Sequence, residues 1–289
     1  MEDNKKNMDL VNNLIELLTL EEIDIDLYRG PITKEPWKRV FGGQVVGQAL
    51  MAACKTVDTK RMPHSLHAYF MRPGDPTKPI IFEVKRDRDG GTFTSRRVVA
   101  KQSGMPILNM ACSFQIQEDG LSHQLDIPNL PPPDNLISRA DFIKQNLHKY
   151  PEKMWPNLLA PRAVEFRQIF NENPDSLAQN YWFKINAPLP EDQILHRVLL
   201  AYATDYTLLG ACLAPHQKNW FDDDIQVASL DHAVWFHEDI KFDDWLLYTQ
   251  DSPWAGGGRG LNRGMIYDQS GKLVASVAQE ALIRMRKPK

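Results

Sequence analysis

Two spacings of apolar residues alternate along this chain. Over "QVVGQALMAACKTV" (44–57) and "HRVLLAYATDYTLLGACLA" (196–214), small and apolar side chains recur at helical spacing, which predicts two largely buried helices. Short β-branched and aromatic stretches follow each of them. After the first come "SLHAYFMRP", "PIIFEVKRD", "FTSRRVVAKQ" and "PILNMACSFQ", with "RDGG" and "QSGMP" as the turns between strands. After the second come "ASLDHAVWFH", "WLLYTQD", "RGLNRGMIYD" and "KLVASVAQEALIR". The echoes "SLHAYF" against "SLDHAVWF" and "QSGMPILNMA" against "QSGKLVASVA" fall at corresponding places, so the chain reads as an internal duplication of one helix and one antiparallel sheet.

The expected division is a 1–35 N-terminal extension, a first repeat over 36–116, a connection over 117–194 and a second repeat over 195–289. In the extension, Leu14, Ile15, Leu17, Leu18 and Ile23 suit a short amphipathic helix lying on the main body. Its acidic residues, with no cationic leader, argue against a signal peptide. The connection holds half of the chain's 20 prolines, "PNLPPPDN" among them, and is expected to be partly ordered, with room for a helix and an edge strand before Pro188. No later run reads as long and apolar enough to cross a bilayer, so a soluble protein is expected.

Composition narrows the chemistry. With 43% hydrophobic and 25% charged residues over 289 positions, the chain can bury a large core, and a formal net charge of -3 offers no general pull toward nucleic acid or anionic membrane. Cys54, Cys112 and Cys212 are far apart and lack the spacing of a zinc cage or a disulfide framework, which points to a reducing compartment.

One residue breaks the apolar pattern. Stepping from Val198 along the second helix gives Tyr202, Asp205, Leu209 and Cys212, which sets Asp205 on the apolar seam. A buried charge must be paired, neutralised or used. In "LVASVAQEALIR", alternation puts Val277, Gln279, Ala281 and Ile283 on one face and Ser276, Ala278, Glu280 and Arg284 on the other, so Gln279 is expected to point inward, where a buried carboxylate is a natural partner. Ser229 shares its alternation with Val227, Asp231, Ala233 and Trp235, so periodicity alone does not bury it. These residues alone fit a satisfied polar knot as well as a catalytic site.

One helix wrapped by an antiparallel sheet, present twice, is the double hot-dog plan, an α+β fold. The motifs "VFGGQVVGQAL", "HSLHAYFMRPGDPTKPIIFEV", "DGGTFTSRRVVAKQSG", "ASLDHAVWFH" and "LVASVAQEALIR" resemble the acyl-CoA thioesterase II family, most of all its animal, peroxisomal branch, over residues 25 to 285. The resemblance implies hydrolysis of fatty acyl-CoA to free acid and CoA by water oriented at an aspartate, a serine or threonine, and a glutamine. On the matching motifs these are Asp205, Ser229 and Gln279, and the first repeat completes the fold and the acyl site without supplying them. The resemblance also implies acyl-CoA as substrate, no cofactor, no metal, and a homodimer or larger assembly. It implies a peroxisomal location, with the cytosol the alternative because "RMRKPK" does not match a serine-lysine-leucine address.

Other chemistries fit less well. There is no G-x-S-x-G elbow. His232 and His237 stand an odd step apart, as do His64 and His67, so neither pair suits a shared metal and a structural role is expected. "AGGGRG" lacks the lysine and serine of a phosphate loop and reads as a turn, with a CoA phosphate at Arg259 the lesser alternative. A hot-dog enoyl-CoA hydratase would need an Asp and His pair, which the residues next to Asp205 in sequence do not include. A non-catalytic acyl-CoA sensor would keep the tunnel without needing an inward carboxylate.

Overall fold

The computed structural model describes residues 2–32, 39–170 and 178–286. Helix α1 (Glu2–Leu18) leads into strands β1 (Glu21–Asp24) and β2 (Leu27–Gly30), then helix α2 (Gly42–Cys54) and strands β3 (Arg61–Phe70), β4 (Ile80–Asp89), β5 (Phe93–Gln102) and β6 (Met105–Ile116). Two short helices, α3 (Arg139–Asn146) and α4 (Trp155–Leu159), precede strands β7 (Val164–Ile169) and β8 (Gln179–Ile185). Helix α5 (Gln193–Ala203) and strands β9 (Ile225–Ser229), β10 (Asp231–Phe236), β11 (Leu246–Gly256), β12 (Arg259–Tyr267) and β13 (Leu273–Met285) complete the chain.

The strands form one sheet in the order β1-β2-β4-β5-β6-β3-β10-β13-β12-β11-β8-β7, with β9 beside β13. The order reads alike from either end, which makes the duplication a pseudo-dimer: β3 answers β10, and β4, β5 and β6 answer β11, β12 and β13. The echoed "QSG" turns behave alike too, since Gly104 and Gly271 both adopt positive φ, a conformation that suits glycine at a tight turn. This is the double hot-dog expected above.

The symmetry reaches further than the sequence suggested. Strands β1 and β2 extend the first half's sheet as β7 and β8 extend the second's. The segment 1–35 is thus more than an extension, and two strands of the second sheet fall within the connection 117–194. Ile23 belongs to β1 and is exposed, whereas Leu14 and Leu18 of α1 are buried. The 35/36 boundary itself lies outside the described residues.

The two halves meet along one seam. Strands β3 and β10 pair antiparallel with Leu66 opposite Val234 and Ala68 opposite His232, and the ring of His67 meets Trp235 edge-on at 4.9 Å. Beneath the seam α2 lies on α5 at a distance that only small residues allow. A Cβ on Gly43 would collide with the Tyr202 carbonyl oxygen. The segment Gln193–His216 is long and apolar enough to qualify as a membrane span, contrary to expectation, but most of it is buried inside the protein.

Helix α5 is also shorter than its hydrophobic pattern suggests. It starts at Asp192, whose side chain accepts from the Ile194 and Leu195 amides, and it ends at Ala203 rather than continuing to 214. The Thr204 hydroxyl donates to the Ala201 carbonyl, and the Thr204 carbonyl accepts from the Tyr248 hydroxyl at 3.2 Å. With these groups engaged, the chain turns over 204–207 and resumes as a 3₁₀ segment, Leu208–Cys212. Asp205 therefore stands in a turn at a helix end, not in mid-helix.

Residues 155–289 hold every strand of the second half, yet without β3 and α2 they would expose the β10 edge and the apolar face of α5. Expressed alone, this fragment is expected to aggregate or to lack a cooperative melt. A monodisperse fragment with a sharp thermal transition would show that the halves fold independently.

Candidate active site

The Asp205 carboxylate is met from three directions. The Gln279 amide donates from Nε2 to Asp205 Oδ1 at 2.7 Å, the Ser229 hydroxyl donates to the same carboxylate, and so does the backbone N–H of Gly43 in the first turn of α2. The first half thus contributes to the site through its helix start, which the motif reading had not assigned to it. Phe41 at the N-cap has no capping side chain, so amides of the first turn are free to face an anion. Gly42 is required here as well. A Cβ at that position would stand 2.6 Å from Asp205 Oδ2 and 3.0 Å from the Phe70 ring.

Gln279 points inward as alternation predicted and is fully buried. Ser229 arrives by a route that alternation could not reveal. Strand β13 pairs Ala281 with Ser229 on β9 and Ala278 with Ala233 on β10, so four steps along one strand match three along the other. The extra residue, at the break near Leu230, is a β-bulge that reverses which side chains face the core. Beyond it His232, Val234 and Phe236 are buried, and before it Ser229 faces the side of Gln279.

His232 is the residue missed in the sequence. Its Nδ1 lies 3.2 Å from Gln279 Nε2 and its Nε2 lies 2.9 Å from Thr204 Oγ1, so a histidine is one side chain removed from Asp205 after all. The signal was present, since His232 alternates with Val234 and Phe236 on the core face of β10. The other histidines are elsewhere: His64 pairs with the Ser113 hydroxyl and His237 with the Ser276 hydroxyl. Arg259 forms an ion pair with Glu280 at 2.9 Å and lies over Trp254, and Gly257 and Gly258 before it adopt positive φ in the β11–β12 turn.

Electrostatics set Asp205 apart from ordinary carboxylates. Burial raises its pKa from 3.8 to about 6, against the three hydrogen bonds, which act to lower it. Burial acts oppositely on His232 and lowers its pKa to about 4, so the ring is neutral near pH 7. The exposed part of Asp205 opens onto a cavity of about 790 Å³, which Ser229, Gly42, Phe41, Tyr150 and Gln168 help to line. A second pocket of about 410 Å³ shares Tyr150, Gln168, Tyr181 and Tyr206 with it and continues among Ile143, Phe142 and Phe166 beneath α3. The connecting segment therefore roofs the route away from Asp205. A desolvated carboxylate beside a hydroxyl and an amide, open to a deep and partly apolar cavity, can hold a water and accept its proton.

Comparisons with known proteins converge on one family. Residues 156–282 match the family model described as acyl-CoA thioesterase, and residues 33–115 match the acyl-CoA thioesterase N-terminal domain. The chain is 41% identical to acyl-coenzyme A thioesterase 8 of Homo sapiens, over 93% of this chain and 88% of the relative. It is 38% identical to acyl-CoA thioesterase 2 of Haemophilus influenzae, over 96% and 98% of the two chains. Its fold is similar to the crystal structure of an acyl-CoA thioesterase II from Mycobacterium marinum, with a TM-score of 0.80, 41% identity, and coverage of 95% of this chain and 99% of that one.

The raised pKa of Asp205 has a consequence for stability. The folded state favours the protonated carboxyl, so the contribution of this group is fully present below about pH 4 and is lost as pH rises through about 6. Asp205→Asn has no charge to desolvate. Its thermal midpoint relative to wild type is expected to rise by a few degrees between pH 4 and pH 7. A difference that stays constant across that range would show that the carboxylate is not desolvated.

Proposed function

The chain belongs to the acyl-CoA thioesterase II family, and from that premise we propose that it hydrolyses fatty acyl-CoA to free acid and CoA with water activated by Asp205, Ser229 and Gln279. The observation that carries this reading is the hydrogen-bonded cluster of the three side chains around a desolvated carboxylate at the wall of the cavity.

In the mechanism Asp205 takes one proton from a water whose other hydrogen goes to the Ser229 oxygen, while the Gln279 amide holds the carboxylate through Nε2. The water oxygen attacks the thioester carbonyl carbon, and the tetrahedral intermediate expels the CoA sulfur, which takes up a proton. No covalent enzyme intermediate is needed. Gly42 stands at the first helical position of α2 and on the cavity wall, so its backbone N–H suits the charge that develops on the carbonyl oxygen. A base with pKa near 6 is ionised at neutral pH yet remains a better proton acceptor than an exposed aspartate. The acyl chain extends into the adjoining pocket under α3, among Ile143, Phe142 and Phe166. The family resemblance further supports a peroxisomal location, with the cytosol the alternative, and a homodimer or larger assembly.

A hydratase reading would draw on the nearness of His232 to Asp205. Yet His232 is fully buried behind Gln279 and engaged with Thr204, so its ring does not face a substrate in the cavity.

Asp205→Asn keeps the shape of the side chain but removes its basicity, so turnover of palmitoyl-CoA, followed by thiol release, is expected to fall by roughly 10²–10⁴-fold while acyl-CoA affinity is retained. A folded mutant with near-wild-type turnover would reject Asp205 as the base. In the wild type, kcat/KM should rise with pH through an apparent pKa near 6 and then level off, because only the ionised carboxylate accepts a proton.

Ile143→Trp should fill part of the pocket beneath α3, lowering kcat/KM for long-chain substrates while sparing short ones. An unchanged chain-length profile would place the acyl chain elsewhere.

A further inference from the structure

The Gln279 amide has a nitrogen that only donates and an oxygen that only accepts, so its use depends on which way it is turned. Its Nε2 lies within reach of both Asp205 Oδ1 and His232 Nδ1, at 2.7 and 3.2 Å. His232 Nδ1 must therefore be the acceptor, and the neutral ring carries its proton on Nε2. That proton goes to Thr204 Oγ1 at 2.9 Å, and the Thr204 hydroxyl hydrogen goes in turn to the Ala201 carbonyl at 3.1 Å. Each donor in the chain faces an acceptor, and the last acceptor is a carbonyl at the end of α5. Gln279 Oε1 is left buried without a protein partner.

From this polarity we infer that His232 is a positioning residue for the hydrolysis: by accepting one Gln279 amide hydrogen it holds Nε2 toward Asp205 and so fixes the carboxylate that takes the proton from the attacking water. The terminal torsion of a glutamine is broad, so a single hydrogen bond to Asp205 fixes it loosely and a second narrows it. A ring protonated on Nδ1 would set donor against donor. The amide would then turn over and direct Oε1 at the Asp205 carboxylate, where two acceptors repel. Burial keeps the ring neutral in the working pH range.

The first half shows what the fold needs at this place without the chemistry. Eight residues beyond the echoed glycines Gly104 and Gly271 stand Cys112 and Gln279. Cys112 is opposite Leu66 across the strands, an apolar pair where the second half has Gln279 beside His232. Packing alone is met by the first pair, so the polar pair calls for another reason.

His232 has this role only if Gln279 acts as proposed above, and the test separates the two claims. In the native enzyme labelled with ¹⁵N-histidine, with the resonance assigned by its loss in His232→Asn, His232 is expected to be the Nε2–H tautomer from pH 5.5 to 8. His232→Leu should lower kcat by about 10²-fold with little change in KM, the size of effect expected when a reacting group is misplaced. His232→Asn, whose side-chain oxygen can stand near the place of Nδ1, should recover about tenfold of that loss. In a Gln279→Ala background His232→Leu should cost little more, because the group it positions is gone. An Nδ1–H tautomer, near-wild-type kcat in folded His232→Leu, or a loss that multiplies undiminished in the Gln279→Ala background would overturn the role of His232. Near-wild-type turnover of Gln279→Ala would instead reject the role of Gln279, and that of His232 with it.

Discussion

A carboxylate withdrawn from water has to be met by donors, and the enclosure of Asp205 organises much of this molecule. Its donors come from three places: the start of α2 through Gly43, β9 through Ser229 and β13 through Gln279. Bringing them together requires the second half to be docked on the first, because Gly43 belongs to the other repeat. The same docking demands glycine at positions 42 and 43, where a methyl group would strike Asp205 or the Tyr202 carbonyl. Helix packing and the environment of the base are thus settled by one close approach.

The pKa of Asp205 reflects a balance between burial and bonding. Three hydrogen bonds favour the ionised form, yet burial outweighs them and leaves the group titrating near 6. With more donors or more water, the carboxylate would be a weak base. With fewer donors at the same burial, it would remain protonated at neutral pH. A partial compensation of this kind suits proton abstraction better than it suits stability, since a well-packed apolar group would carry no desolvation cost at all.

Much of the fold was legible because it depends on period and repetition. The strand β5 spans the very residues read from "FTSRRVVAKQ", and the echoed "QSG" turns mark the corresponding hairpins of both halves. The inward face of Gln279 followed from simple alternation in β13. Two features were hidden because they depend on long-range partners. The end of α5 is decided by Thr204 and by Tyr248, forty-odd residues away, and no local periodicity records that contact. The bulge near Leu230 exists only as a mismatch between two strands and β13, so alternation carried across it misplaces Ser229. Strands β1, β2, β7 and β8 were underestimated for a related reason, forming the two outer ends of the sheet, where their role appears only once the sheet is assembled.

Duplication also explains why one site is built from two similar halves. Each repeat offers a helix start and a sheet face, but only the second interrupts its helix and so presents a carboxylate at the helix end. In the first, α2 runs unbroken from Gly42 to Cys54 over the apolar pair Leu66 and Cys112. An uninterrupted helix start can donate to an anion that it does not itself carry. The asymmetry therefore divides the labour: the repeat that kept its regular helix supplies backbone N–H groups, and the repeat that broke its helix supplies the side chains. Two identical halves would place either two buried carboxylates or none at the shared seam, and the first arrangement would double the desolvation cost.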